Sequence, residues 1–261
     1  LEVRLIPSRI RKVLSTMAVC QVRALLMGGQ ACVFYGAAEF SRDTDLLILA
    51  DAGNLQCLEG ALRQLQADCI AVPSLTAEYL ERGHAVHFRC HHPEALNMRV
   101  DLMAKLRGVE PFSALWHRRT TLTDQEGVTY ELLSMPDLVQ AKKTQRSKDW
   151  PMLQRLLEAY YLRHRDDPTG EEQRFCLREL RTPELLVEAA QAWVEASRQA
   201  ASDRPLLALA RPGALAELRA ALAAEEMAER ERDRLYWHPL KVELEQLRHA
   251  ASRQSRRNPD E

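Results

Sequence analysis

Apolar positions along the first half of the chain switch between two periods. Ile10, Val13, Leu14 and Met17 recur at helical spacing and predict a helix from Arg9 to Val22. Ala24 to Met27 is a short apolar run closed by Gly28-Gly29, and Asp45 to Ala50 is a second, both expected as buried strands. Leu55, Leu58, Leu62 and Leu65 restore the helical period over 54–66. His84 to Cys90 and Asn97 to Met103 alternate as strands around His91-His92-Pro93, and Val128 to Leu133 is a further strand. Ser134 followed by Pro136 gives a capped helix start. Pro151 should break or restart that helix, leading into a stripe of Leu153, Leu156, Leu157 and Tyr160.

Beyond residue 165 the strand period disappears. Pro183 to Ala200 and Pro212 to Arg234 are rich in Ala, Leu and Glu and predict helices. Tyr236-Trp237-His238-Pro239 reads as a helix break, followed by an amphipathic helix from Leu240 to Arg257. The fold class expected is α+β, a mixed sheet flanked by helices, with an all-helical C-terminal part. The turn-rich stretch His164 to Gly170 places the boundary between domains 1–165 and 166–261.

Composition narrows the function classes. The chain is 46% hydrophobic, enough to bury a core, so disorder is excluded. Its 36 basic and 37 acidic residues leave a net charge of −1, which argues against a nonspecific polycation for nucleic acid. That neutrality is divided: residues 1–165 carry +3 and residues 166–261 carry −4. No apolar run is long enough for a membrane span, which takes roughly 18 residues. Leu1 to Lys12 lack the apolar core of a signal peptide, so the cytoplasm is the expected location. None of the six cysteines sits in a CxxC pair, and all are expected as reduced, mostly buried thiols. His84, His87, Cys90, His91 and His92 cluster, but strand alternation would split them between two faces, so a polar strand and turn is favoured over a metal site.

The residues that carry chemistry are Gly28-Gly29-Gln30-Ala31, then Gly36, Ser41 and Asp43-Thr44-Asp45. Two glycines closing a strand let the backbone approach a ligand, and a helix start beyond them can receive a phosphate. Asp43 and Asp45 stand two apart, so on a strand their carboxylates share a face. Like charges held together call for a cation, and hard oxygen ligands suit Mg²⁺. Asp101, on the strand 97–103, supplies a third carboxylate. Three such groups around two Mg²⁺ ions suit phosphoryl transfer from a nucleoside triphosphate. Arg99 shares a face with Asp101 and is expected to balance the acidic cluster.

These residues resemble the pattern of the nucleotidyltransferase superfamily whose best-known member is DNA polymerase beta: a Gly-Gly turn, an Asp-x-Asp about a dozen residues on, and a later strand Asp. Gly28, Gly29, Asp43, Asp45 and Asp101 match it. Over about residues 20–160 the chain is most similar to small bacterial nucleotidyltransferases of the abortive-infection and toxin–antitoxin type. Those carry a helix with Lys, Arg and Lys-Asp, matched here by Lys142, Arg146, Lys148 and Asp149. Two positions depart: Glu39 stands where many relatives have Arg, and Ser41 where they have Thr. The resemblance implies a nucleotidyltransferase fold. Its Mg²⁺-binding and catalytic residues would be Asp43, Asp45 and Asp101. Gly28, Gly29, Ser41, Lys142 and Arg146 would contact the nucleotide.

The expected activity is transfer of a nucleoside monophosphate from an NTP to a hydroxyl of RNA, protein or a small molecule, with release of pyrophosphate. The alternative is a noncatalytic nucleotide- or partner-binding protein on the same fold. Spacing puts Lys142, Arg146 and Asp149 on one helical face, either reaching the triphosphate or forming a salt-bridged solvent surface. Trp116-His117-Arg118-Arg119 reads as a helix end more readily than as an RNA patch.

Overall fold

In the computed structural model, which describes residues 8–38, 41–124 and 126–257, the N-terminal stripe forms α1 (Ser8–Val19) with Ile10, Val13, Leu14 and Met17 buried. Then come β1 (Ala24–Met27), α2 (Gly28–Phe34), β2 (Asp43–Ile48), α3 (Ala52–Gln64), β3 (Ala67–Cys69) and α4 (Ala77–Arg82). These are followed by β4 (Val86–Cys90), β5 (Arg99–Met103), α5 (Phe112–His117), β6 (Thr120–Thr123), β7 (Thr129–Leu132) and α6 (Met135–Lys142). The remainder is helical: α7 (Asp149–His164), α8 (Gly170–Glu179), α9 (Pro183–Ala192), α10 (Val194–Ala200) and α11 (Leu215–Arg257). The protein is therefore α+β. No helix among the described residues is long and apolar enough to cross a membrane.

The described residues divide into two compact units. One takes in the chain up to Phe34, Ala38–Ala141 and the chain from Leu235; the other takes in Tyr35–Ala37 and Lys142–Arg234. The division does not coincide with the one expected at residue 165, since Arg165 is the C-cap of α7 inside the second unit.

The first unit is built on a seven-stranded sheet in the order β3-β4-β5-β2-β1-β7-β6. The β2/β5 and β1/β7 pairs are parallel and the rest antiparallel. Its central strands bury one face completely: Leu46, Ile48, Val100, Leu102 and Val86 are at most 2% exposed. The two edge strands, β3 and β6, were not expected. They hold few apolar residues and form by pairing at the sheet margins, not by burying a face of their own. Asn54 is buried and satisfied, accepting from the Arg23 N–H and donating to the carbonyls of Arg23 and Leu49, which ties β1 to β2.

Two helix expectations need correction. The Pro183–Ala200 helix is broken at Trp193, whose backbone leaves helical angles while its ring packs edge-on against Tyr161 at 5.5 Å. Conversely, α11 runs through Pro239 without a break. The Pro removes one backbone donor, but the helix formers on both sides hold the register. In the first unit, Trp237 lies against Gly83, and Glu243 pairs with Arg82 and approaches His84 to 3.2 Å. These contacts hold that part of the helix to α4 and β4.

The second unit buries Trp150, Leu153, Leu156, Leu157 and Tyr161 of α7 against its neighbours. Thr169 and Glu172 form a reciprocal capping box that starts α8. Arg204 is 4% exposed and donates to the carbonyls of Leu177 and Leu180 at 2.8 and 3.0 Å while pairing with Glu225. A buried guanidinium is tolerated because its donors are met.

Candidate functional site

Residues of β2, β5 and β4 alternate between a buried face and a half-open one. The half-open face carries the charges. Register places Met27, Asp45, Asp101 and His87 in one cross-strand row. Asp43, Arg99 and Arg89 form the next. β2 begins two residues earlier than the apolar run predicts, so Asp43 lies within the strand and shares its face with Asp45. Neighbouring strands run about 4.8 Å apart, so Asp45 and Asp101 set like charges side by side.

Asp101 is already engaged. Its Oδ1 accepts from Arg99 Nε at 2.7 Å and lies 2.8 Å from His87 Nδ1. Arg99 Nη2 is also 3.1 Å from that ring nitrogen. A protonated Nδ1 can donate to Asp101, while a bare one can accept from Arg99. Burial would raise the Asp101 carboxyl, but the hydrogen bonds of His87 and Arg99 outweigh it and hold the group below the usual carboxylate range. Its bond to Asp101 raises the Arg99 guanidinium, and Asp43 and Asp45 add attraction. Arg99 thus balances the acidic cluster, as its spacing implied. His87 was assigned to a plain polar strand, and only the strand register reveals its place beside Asp101.

The glycines meet the carboxylates directly. Gly28, at the end of β1, has φ +68°, and a Cβ placed there would lie 1.8 Å from Asp45 Oδ2. A Cβ on Gly29 would lie 2.8 Å from Ser41 Oγ, and Ser41 Oγ donates to the Asp43 carbonyl at 3.1 Å. Gly28, Gly29, Ser41, Asp43, Asp45 and Asp101 therefore come together at one place in the first unit. α2 has only seven residues, so it adds little dipole to the site. Glu39 lies outside the described residues.

Lys142 and Arg146 belong to the second unit, and the shared helical face is overturned. α6 ends at Lys142 and α7 starts at Asp149. Between them Thr144 N–H donates to the Lys142 carbonyl, and Trp150 Nε1 donates to the Thr144 carbonyl. This turn, not a helix, gathers the charges on Asp149. Its carboxylate accepts from Thr144 Oγ1 at 2.5 Å and Arg146 Nε at 2.8 Å, and lies 3.6 Å from Lys142 Nζ. Burial would raise Asp149, but Lys142, Thr144 and Arg146 together hold it below the usual carboxylate range. Its stabilising contribution is present above the unfolded-state value, about 3.9, and is lost as pH falls through the lower folded value. Chemical denaturation of the wild type and Asp149→Asn at pH 7 and pH 3 should show the wild type losing more of its stability between the two.

The remaining candidates have structural partners. Arg118 makes a bidentate pair with Asp137 at 2.8 Å for each bond, and Arg119 bonds Glu131 while covering the Trp116 ring at 4.2 Å. The histidines diverge: His91 approaches Asp68, and His92 accepts the Glu94 N–H. Among the described residues no group of three or more His, Cys, Asp or Glu side chains is placed to hold a metal ion. No protein-family model matches the chain, and no curated protein does.

Proposed function

We propose that the protein is a Mg²⁺-dependent nucleotidyltransferase of the DNA polymerase beta superfamily, most like the small bacterial abortive-infection and toxin types. One observation carries this reading: Asp45 and Asp101 stand as partners on parallel strands, with Asp43 two residues earlier and Gly28 against the Asp45 carboxylate.

The residues fit a divalent cation. Asp43 and Asp45 offer hard oxygens from one strand face, and the bare Cα of Gly28 leaves the space that the Asp45 carboxylate needs. The bound metal would draw charge from the triphosphate oxygens. A second ion would take Asp101 through Oδ2 or displace Arg99 and His87 from Oδ1. Gly28 and Gly29 would let the phosphates approach the backbone, with Ser41 as a nearby hydroxyl donor. The acceptor hydroxyl oxygen bonds the α-phosphorus as the bond to the β-phosphate oxygen breaks, and pyrophosphate leaves. Asp101, held ionised, attracts the proton that the hydroxyl gives up.

Incubation of the full chain with each α-labelled NTP, Mg²⁺ and a cell extract tests the reaction. Label should appear in an RNA, protein or small-molecule fraction in a Mg²⁺-dependent way. No transfer and no calorimetric NTP binding would sink the proposal. The engagement of Asp101 by Arg99 and His87 favours a second reading, a noncatalytic nucleotide- or partner-binding protein. NTP binding without transfer of label would select it.

A further inference from the structure

One side of α11 is committed to the rest of the chain. Leu218, Leu222 and Asp233 are buried there, and on the same side Leu240 lies against Gly83 and Glu243 pairs with Arg82. The opposite side carries a second stripe: Met227, Glu231, Leu235, His238, Val242 and Glu245. Steps of three and four residues keep these six on one helical face.

All six are exposed, Met227 by 70%, Leu235 by 56% and Val242 by 41%. The exposed Ala220 and Ala224 extend the stripe towards the helix start and the exposed His249 towards its end. At 1.5 Å per residue it runs for about 44 Å. None of these positions is Lys or Arg, although the helix is rich in Arg. A helix face meant only for water carries such charges, whereas large apolar side chains at this spacing form the seam of a helix pair.

The order of the side chains selects the occupant. From Leu235 the stripe reads Glu231 then Met227 towards the helix start, and His238 then Val242 towards its end. Turned end for end about a twofold axis at Leu235, the stripe matches itself. Leu235 meets its own copy, Met227 meets Val242, and Glu231 meets His238, the last two contacts occurring twice. The pairs 231/238, 227/242, 224/245 and 220/249 share one register, so the match holds along the stripe. A parallel pair would instead set Glu231 on Glu231 and Glu245 on Glu245, like charge on like. Glu231 is bidentate on Arg234 of its own helix. A carboxylate has about four lone-pair sites, so it can still accept an imidazole N–H.

We propose that this face of α11 is a self-association surface, pairing antiparallel with α11 of a second copy of the chain about a twofold axis at Leu235. A single helix pair is smaller than an obligate interface, so the dimer forms at roughly micromolar concentrations.

Sedimentation equilibrium of the full chain from about 1 to 200 µM should show a monomer–dimer equilibrium. Leu235→Glu sets two charges face to face on the axis and should weaken the dimer by at least about tenfold. His238→Glu, facing Glu231 of the other copy, should also weaken it. Adding Glu231→Lys to His238→Glu should restore the dimer, because opposite charges face each other again. In a parallel pair each new side chain would face its own copy, and the combination would not recover. The three positions are exposed, and circular dichroism checks that each variant is folded. If Leu235→Glu does not fold, the His238→Glu pair of variants decides. The inference is overturned by a monomer at every concentration, by a dimer that folded Leu235→Glu leaves intact, or by a double variant no tighter than His238→Glu alone.

Discussion

Asp45→Asn is expected to lower nucleotidyl transfer by about a thousandfold, or about 4 kcal/mol of transition-state stabilisation, the scale set by losing a ligand to a catalytic cation. The same substitution should change the stability of the metal-free protein little. Asp45 faces Asp101 across a parallel strand pair, where like charges repel, but Arg99 attracts it, so neutralising it removes effects of both signs. Asn keeps the shape. A thousandfold loss of activity at a nearly unchanged melting temperature is what a merely structural carboxylate would not produce. Label transfer and thermal melting without Mg²⁺, measured on one preparation, check both. Transfer at wild-type rate would exclude Asp45 from the chemistry. A large fall in melting temperature would show that Asp45 holds the fold and not a cation.

Positive and negative side chains alternate across the sheet face, so the carboxylates do not stand as an acidic cluster alone. The Asp45 row ends in His87, and the Asp43 row continues into Arg99 and Arg89. Arg99 bonds Asp101 and lies close enough to be attracted by Asp43 and Asp45. The protein thus carries its own cation beside the carboxylates. This is why Asp101 can stay ionised while largely buried.

Much of this arrangement was legible in the sequence because it depends on local periodicity. The strand at 24–27 formed where the pattern put it, the one expected over 97–103 formed over 99–103, and Arg99 and Asp101 share a face because they are two apart. Where long-range pairing decided the outcome, the pattern was silent. β3 and β6 exist only as partners of β4 and β7, and His87 meets Asp101 only through the β4/β5 register. Spacing also misled where side chains remade the backbone. Lys142, Arg146 and Asp149 have helical intervals, yet Thr144 and Trp150 fold the segment into a turn that joins the same three charges. At Pro239 a local rule lost to the helix propensity around it.

Gly28→Ala should be the most damaging single methyl that can be added to the first unit's site. Two costs combine. At φ +68° any L side chain is strained, by roughly 1–2 kcal/mol. The new Cβ would also lie 1.8 Å from Asp45 Oδ2, 2.5 Å from its Cγ and 2.7 Å from its Cβ. The last of these atoms is fixed to the strand, so rotating the carboxylate away does not clear the contact, and overpacking adds about 1–3 kcal/mol. Neighbouring glycines separate the two costs. Gly36 has φ +80° and open space around its missing Cβ, so Gly36→Ala should show the backbone cost alone. Gly29→Ala meets the Ser41 hydroxyl at 2.8 Å, a side-chain end that can rotate, and should be mild. Urea denaturation should therefore rank Gly28→Ala as the least stable of the three, by about 1–3 kcal/mol relative to Gly36→Ala. Transfer activity should fall with it, because Asp45 must move. Equal stability of the Gly28 and Gly36 variants would mean that the Gly28 backbone does not lie against Asp45, and the glycine turn would lose its place in the site.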